Sequence, residues 1–228
     1  LVLPITALIG PIILVATQPD LGTSILIASG GIVVAWLAGV RPKFFIYSGV
    51  AMIALLPIAI SFLKPYQKSR ILTFLNPERD PLGAGYQIIQ SKIAIGSGGL
   101  FGKGFLNGSQ SYLDYLPEKH TDFIFTLFSE EFGFFGSLFI LLLYALIISR
   151  IVRIGNMTRS NFGKLYCYSF ATAFFIYVVV NMMMVLGLLP IVGSPLPIMS
   201  YGGSSMLAIM FGLGIVMSCK IYKDVPVN

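Results

Sequence analysis

The sequence predicts an all-α polytopic membrane protein that forms a single membrane domain over residues 1–228. Charged residues make up 11% of the chain and hydrophobic residues 56%, whereas soluble domains carry roughly 25% charged residues. A helix that spans a bilayer needs about 20 consecutive apolar residues. Six apolar stretches meet or approach that length: 1–16, 22–40, 44–63, 123–149, 165–190 and 196–219.

The first stretch starts at Leu1 with no basic segment ahead of it, so it does not have the form of a signal peptide. We therefore expect a chain that begins partway through a larger protein. Cys167 and Cys219 both lie inside later apolar stretches. Their surroundings indicate packing rather than a disulfide framework or a metal site.

The short connections between the stretches predict the orientation, because Lys and Arg are enriched in cytoplasmic loops. Connections 17–21 and 191–195 contain no Lys or Arg. Eight basic residues follow the second, fourth and sixth stretches, which six alternating spans place on one face: Arg41, Lys43, Arg150, Arg153, Arg159, Lys164, Lys220 and Lys223. This face and the C-terminus are therefore predicted to be cytoplasmic, and the long loop 64–122 between the third and fourth stretches is predicted to be extracytoplasmic.

The loop 64–122 contains two amphipathic patterns. Residues 63–81 mix Lys and Arg with Ile, Leu and Phe, which is typical of a helix that lies at the membrane interface. Further on, Tyr86, Ile89 and Ile93 fall at helical spacing and predict a second helix with these residues on its apolar face. On pattern alone, the favoured interpretation is that both helices only cap the bundle and lie on the lipid headgroups.

Asp122 directly precedes the fourth apolar stretch. An Asp at that place predicts an N-cap, whose carboxylate accepts a backbone N–H of the helix, and capping is compatible with a chemical role. Thr126, Ser129, Glu130 and Gly133 fall on the same face of that helix. Glu130 lies about 12 Å deeper than Asp122 along the axis, where a carboxylate requires a partner or a cavity.

Residues 95–104, IGSGGLFGKG, are rich in glycine, which lets backbone N–H groups converge on a phosphate. The spacing is not that of a P-loop, because Ser97 stands where a glycine is needed and Gly104 replaces the Ser or Thr. A flexible turn and an anion-binding turn are both compatible with this stretch. His120 has no second His or Cys nearby, so no zinc site is predicted.

Four stretches resemble motifs of the SEDS family of cell-wall proteins, the family of RodA, FtsW and SpoVE. They are QPDLGTS (18–24), DPLGAGYQIIQSKIAIGSGG (80–99), LPEKHTDFIF with the following SEE (116–131), and the run from Asn181 to Ser205. The last contains GLLP-x-x-G and PLPIMSYGGSS, and departs from the family pattern at Ser194, where an aliphatic residue is usual. The resemblance covers nearly all of the chain, and the sequence around Lys92 and VGSPLP is more similar to the RodA branch than to FtsW.

The resemblance implies a fold of ten membrane helices, of which the six stretches here are similar to the last six. It implies a peptidoglycan glycosyltransferase that polymerises lipid II into glycan strands at the outer face of the bacterial cytoplasmic (inner) membrane during cell elongation, and so a role in cell shape. The implied partners are lipid II, a class B penicillin-binding protein that cross-links the strands, and other membrane proteins of the elongation complex. No nucleic-acid partner is expected.

By its match to the family motif, Asp122 is implied to be the catalytic carboxylate. Transfer from a diphosphate-linked donor needs one base for the acceptor hydroxyl and no acid for the leaving group. Candidates to hold the diphosphate are the cationic groups of the long loop: Arg70, Arg79, Lys92, Lys103, Lys119 and His120. Glu130 and Ser204 are expected to support the site. A divalent cation, Mg²⁺ or Mn²⁺, bridging the diphosphate would serve the same end, although the sequence contains no dedicated metal cage.

Two other functions are compatible with the sequence. A lipid II flippase, which is a transporter, predicts a polar path across the bilayer, and Asn181, Pro11 and Pro57 are the only hints of one. A scaffold that only recruits a synthase would leave Asp122 with no role beyond capping.

Overall fold

The computed structural model describes residues 2–18, 21–61, 65–81, 83–109, 116, 118 and 120–224. Over these residues the chain forms helices and no strand, which confirms the all-α class. A short 3₁₀ helix at Pro77–Arg79 lies between the fourth and fifth α-helices. The α-helices are α1 (Val2–Thr17), α2 (Leu21–Leu37), α3 (Pro42–Ser61), α4 (Pro65–Leu75), α5 (Ala84–Gly98), α6 (Ile124–Met157), α7 (Asn161–Val185) and α8 (Gly203–Ile221).

By length and composition, α6, α7 and α8 can each cross a membrane. The apolar parts of α1, α2 and α3 are shorter, at Leu8–Thr17, Gly22–Leu37 and Pro42–Leu55. A helix is suited to the bilayer because it satisfies its own backbone N–H and C=O groups where no water is present. All six predicted apolar stretches therefore contain a helix.

The predicted limits of the last two stretches are wrong. The fifth, expected at 165–190, is the helix Asn161–Val185, and the sixth, expected at 196–219, is Gly203–Ile221. Residues 186–202 between them are not helical. This segment, called loop 186–202 below, contains three prolines, which lack the N–H that a helix interior requires.

The helix α6 has 34 residues and is interrupted at Gly133, whose φ of 65° and ψ of −160° are not helical. A glycine occupies this left-handed region without the steric cost of a Cβ. The part from Phe134 to Met157 is about 36 Å long at 1.5 Å per residue, enough for a hydrocarbon core of about 30 Å. The part before Gly133 therefore extends past the core towards the start of α6, where Asp122 lies.

The helices pack as a bundle around α6, which contacts α5, α7 and α8, while α2 contacts α1 and α7. The buried core lies between α6, α7 and loop 186–202 and includes Phe125, Tyr144, Phe174, Val178, Met184, Val185 and Leu196. A second cluster joins α6, α7 and α8 towards their other ends through Ile151, Cys167, Ala171 and Val216.

The helix predicted around Tyr86, Ile89 and Ile93 is present as α5, and the residues that it buries against the bundle are other ones. Ile93 is 49% exposed, whereas Ile88, Ser91 and Ala94 are buried. Ser91, Ala94 and the following Gly98 are small, and small residues let two helices approach closely inside a membrane protein. The helix predicted from residues 63–81 is present as α4, with exposed apolar side chains on its surface.

Candidate functional site

Loop 186–202 forms one wall of the candidate site. Gly187 and Gly193 have φ values of +66° and +71°, which favour glycine, and turn the chain back over the ends of α5 and α7. Arg70 Nη1 on α4 donates to Ile191 O at 3.3 Å. The loop therefore touches helices that lie far apart in the sequence.

The main chain around Asp122 is attached to this loop by two buried side chains. Asn181 on α7 is fully buried, and its Nδ2 donates to Asp122 O at 2.8 Å and to Ser194 O at 2.7 Å. Ser200 Oγ donates to Thr121 O at 2.6 Å. These hydrogen bonds hold the backbone on both sides of the Asp122 carboxylate, so the carboxylate has a defined position.

Two further backbone contacts complete the attachment. Ser200 Oγ also accepts from Leu196 N at 2.7 Å, and Tyr201 N donates to His120 O at 2.9 Å. His120 thus contributes its carbonyl to the fold, while its side chain is exposed. The exposed imidazole leaves His120 accessible as a candidate substrate contact.

Asp122 itself is half-buried at the start of α6. Its Oδ2 lies 3.6 Å from the point where a Cβ on Gly193 would stand, so the carboxylate faces loop 186–202 across a residue with no side chain. The prediction that Asp122 is the N-cap is wrong. The helix begins at Ile124, its N-cap is Phe123, and no side-chain capping bond forms there.

Lys92 reaches the same loop from α5. A Cβ on Gly187 would overlap Cε and Nζ of Lys92, so the lysine side chain lies against this glycine. Its neighbour Ser91 shares a hydrogen bond of 2.8 Å with Thr126 and donates to Val185 O at 2.6 Å. Thr126 lies one helical turn after Asp122, so this buried pair sets α5 against the start of α6.

The remaining predicted cations have different surroundings. Lys103 Nζ forms an ion pair with Glu130 Oε1 at 2.7 Å. Arg79 is exposed in the 3₁₀ helix and lines a separate pocket with Lys68 and Asp80. Ser204 is exposed in the first turn of α8. Lys119 lies outside the described residues. Lys92 and Arg70 are therefore the predicted cations that the structure places on loop 186–202.

Glu130 has the partner that its depth required. The carboxylate is fully buried, and its Oε1 accepts from Lys103 Nζ and from Ser109 Oγ at 3.0 Å, with Ser97 Oγ at 3.5 Å. Lys103 also donates to Ser109 Oγ at 2.9 Å. The cluster joins the segment after α5 to α6, so Glu130 supports the structure.

Hydrogen bonds hold the glycine-rich turn against α6, and the backbone N–H groups of residues 102–104 are not available to an anion. Lys103 N donates to Glu130 O and Gly104 N to Glu131 O, both at 3.0 Å, and Gly102 N donates to Gly98 O at 2.8 Å. Phe134 N in turn donates to Gly99 O at 2.9 Å across the break in α6. The interpretation of this turn as a phosphate cradle is therefore wrong, because these N–H groups already have acceptors.

The sequence did not predict that four buried polar residues would hold the site together: Asn181, Ser200, Ser91 and Thr126. Asn181 was a visible signal, since it is a lone amide inside the apolar stretch 165–190. A buried amide requires hydrogen-bond partners, so it predicts a polar contact with another segment. Which segment supplies those acceptors depends on the packing of α7 against α6.

In the described ranges no group of three or more His, Cys, Asp and Glu side chains is arranged to hold a metal ion. A groove with a volume of about 940 Å³ runs between α5, α6 and α7. Its walls are mainly apolar and include Gly96, Gly99, Ala145 and Val179.

Comparison with known proteins matches residues 1–224 to the family model of the cell cycle proteins FtsW, RodA and SpoVE. The chain is 50% identical over 214 residues to the peptidoglycan glycosyltransferase MrdB of Escherichia coli K12, covering 93% of this chain and 58% of that protein. It is 38% identical over 212 residues to stage V sporulation protein E of Bacillus subtilis, covering 92% and 57%. The chain thus spans less than two thirds of these relatives' own length.

Two solved structures have the same fold. One belongs to a study of the structural coordination of polymerization and crosslinking by a peptidoglycan synthase complex, with a TM-score of 0.77 and 36% identity over 98% of this chain and 61% of that one. The other is the crystal structure of Thermus thermophilus rod shape determining protein RodA, with a TM-score of 0.62 and 26% identity, covering 97% and 56%.

Proposed function

This chain belongs to the FtsW, RodA and SpoVE family of cell cycle proteins, and on that premise we propose that the protein is a peptidoglycan glycosyltransferase that polymerises lipid II during cell elongation. It is a multi-pass protein of the inner membrane, and we place loop 64–122 outside and the C-terminus in the cytoplasm. The observation that carries the proposal is the convergence on loop 186–202 of one carboxylate, Asp122, and two cations, Lys92 and Arg70.

In the proposed step Asp122 accepts the proton of the acceptor sugar hydroxyl. The hydroxyl oxygen attacks the glycosyl carbon of the donor and forms the glycosidic bond, while the bond from that carbon to the diphosphate oxygen breaks. The lipid diphosphate leaves with the bonding electrons and needs no proton. Lys92 and Arg70 form no salt bridge within the described ranges, so their charges are available to balance the growing charge on the diphosphate.

A divalent cation fits this step only as a companion of the substrate. Asp122 is the carboxylate at the wall of the site, and the diphosphate oxygens would supply most of the ligands that Mg²⁺ prefers. For this step the precise placement of the base matters more than a cation, because a misplaced catalytic group loses the advantage of proximity. The hydrogen bonds from Asn181 and Ser200 to the backbone at Asp122 and Thr121 supply that placement.

The test is polymerisation of purified lipid II by the full-length protein in detergent, with Asp122→Asn as the variant. Asn has nearly the shape of Asp and cannot accept the proton, so we expect normal accumulation and a fall in polymerisation of about 10² or more. Glu78→Gln is the matched control, since it makes the same charge change on an exposed side chain of the same long loop, away from Asp122 in the sequence. An active Asp122→Asn protein would overturn the mechanism.

The same experiment separates the enzyme from the flippase. A detergent solution has no two compartments, so a protein that only moves lipid II across a bilayer forms no polymer there. Polymer from the parent protein and none from Asp122→Asn supports a glycosyltransferase. Absence of polymer from both proteins, with lipid II translocation by the parent in sealed vesicles, would favour the transporter.

We further propose that the protein acts with a class B penicillin-binding protein, whose single membrane helix packs into the groove between α5, α6 and α7. Small residues such as Gly96, Gly99 and Ala145 line this groove and would allow close helix packing. Ala145→Trp fills the groove from an exposed position, and we expect it to abolish co-purification in mild detergent. Leu146→Trp is the control, because Leu146 is 61% exposed and does not line the groove. Equal co-purification of both variants would contradict the site.

A further inference from the structure

A pocket of about 280 Å³ lies between the C-terminal ends of α6 and α8, at the opposite end of the bundle from Asp122. Four cationic side chains from two helices line it: Arg150 and Arg153 from α6, and Lys220 and Lys223 from α8 and the turn after it. The pocket greatly exceeds the ~15 Å³ that one water molecule needs, so a phosphate group can enter.

Among the residues that the structure describes, no acidic side chain balances the positive charge of this pocket. Residues 150–164 contain no Asp or Glu, and Asp224 is exposed and does not line the pocket. None of the four cations forms a salt bridge with another described residue. Attraction to the carbonyl end of α8 explains Lys220, which lies in the last turn. It does not explain Arg150 and Arg153, which lie one to two turns before the end of α6.

The depth of the pocket matches the lipid headgroups. Arg150 lies about 26 Å and Arg153 about 30 Å along the axis from the break at Gly133, where the polar turn packs on α6. That distance is about the thickness of the hydrocarbon core, so the guanidinium groups reach the opposite interface. Ile154 and Met157 also line the pocket, and Met157 is 54% exposed. The pocket therefore combines cationic and apolar surface.

We propose that this pocket binds the headgroup of an anionic phospholipid from the leaflet into which it opens. The phosphate is held by the four cations, with Arg153 and Arg150 suited to two-pronged contacts with its oxygens. The glycerol and upper acyl chain lie on Ile154 and Met157. Basic pockets between membrane helices hold such headgroups in other proteins.

A backbone hydrogen bond fixes the position of the turn that carries Lys223. Arg159 N donates to Lys223 O at 2.9 Å, which attaches the turn after α8 to the connection between α6 and α7. Lys223 is therefore held at the pocket although it follows the helix end. A lipid bound there would bridge α6 and α8, and α6 also carries the candidate active site at its other end.

The experiment titrates a fluorescent phosphatidylglycerol, with phosphatidylcholine as comparison, into the purified full-length protein in neutral detergent. The pocket variant is Arg153→Gln with Lys223→Gln. The matched control is Arg159→Gln with Lys164→Gln, which removes the same charge from the same face at exposed positions outside the pocket. We expect binding of phosphatidylglycerol to weaken at least about tenfold in the pocket variant and less than about threefold in the control.

Equal weakening in the two variants, or equal binding of both lipids by the parent, would overturn the proposal and leave only diffuse surface charge. Inorganic phosphate is added as a competitor at the concentration of the lipid. Full displacement by phosphate would show a small-anion site and also overturn the proposal. Where the pocket variant does not accumulate, Lys220→Gln replaces it, because that side chain is exposed and its loss should still weaken binding several-fold.

Discussion

Breaking the Lys103–Glu130 pair tests what holds the glycine-rich turn on α6. Nζ and Oε1 are 2.7 Å apart, the Glu130 side chain is fully buried, and the Lys103 side chain is 30% exposed. Lys103→Met removes the cation and leaves a carboxylate where water is excluded. Loss of one partner of a buried ion pair costs about 3–5 kcal/mol, and the partial exposure of Lys103 places the expected cost at about 3 kcal/mol.

Glu130→Gln is expected to be milder. The amide oxygen still accepts from Lys103 and Ser109, and the ammonium group keeps contact with water, so the cost is about 1 kcal/mol. The double variant, Lys103→Met with Glu130→Gln, has no unpaired buried charge. We therefore expect it to be more stable than Lys103→Met alone by about 1–2 kcal/mol, as for residues that interact directly.

The assay is thermal unfolding of the purified full-length protein in one detergent at a fixed lipid content. A change of 1 kcal/mol shifts Tm by about 2–4 °C for a domain of this size. Lys103→Met should therefore lower Tm by about 6–12 °C and Glu130→Gln by about 2–4 °C. Lys68→Met, an exposed lysine on α4, is the control and should change stability by less than about 0.5 kcal/mol. Equal shifts for the two single variants, or a double variant below Lys103→Met, would refute the reasoning.

Three further predictions concern the backbone and the orientation. Asn181→Asp exchanges a donor for an acceptor opposite two carbonyls, so polymerisation should fall at least about tenfold and Tm should drop; full activity would contradict its role. Gly102→Ala should prevent accumulation, because a Cβ there would overlap Glu131 O at a positive φ. Gly96→Ala, with open space at its Cβ, should accumulate normally. In a protein without native cysteines, an impermeant thiol reagent should label Asn76→Cys from outside and spare Asn161→Cys, both exposed; the reverse pattern would invert the proposed topology.

The six helices of the apolar stretches were predictable because each contains an apolar run, and such a run can be recognised without knowing its neighbours in space. Their ends were less predictable. Loop 186–202 is as apolar as the helices beside it. Gly187, with a φ of +66°, follows the end of α7, and the prolines of the loop keep the helix from continuing. The buried face of α5 was also hidden, since Ser91 and Ala94 look less suited to burial than Ile93 until α6 is packed against them.

In the candidate site too, some residues were predictable from the sequence and others were not. Asp122 was found from its motif and its position before an apolar run, and the need of Glu130 for a partner followed from its depth alone. That Lys103 would be this partner, and that Lys92 and Arg70 would reach loop 186–202 instead, could not be read from spacing. Lys103, Lys92 and Arg70 are all basic residues of one long loop, and only the fold separates their roles.

The sequence by itself determined that this is a helical membrane protein. It also determined which end of the bundle carries the basic residues, and the carboxylate on which the proposed chemistry depends. These follow from local properties: hydropathy, charge and short motifs. The tertiary structure decided which polar groups meet, as when Asn181 binds the backbone of Asp122 and Ser194, and when Arg153 and Lys223 share one pocket. Such contacts join residues tens of positions apart, and their geometry is set by how the helices pack and where the chain breaks at Gly133 and in loop 186–202.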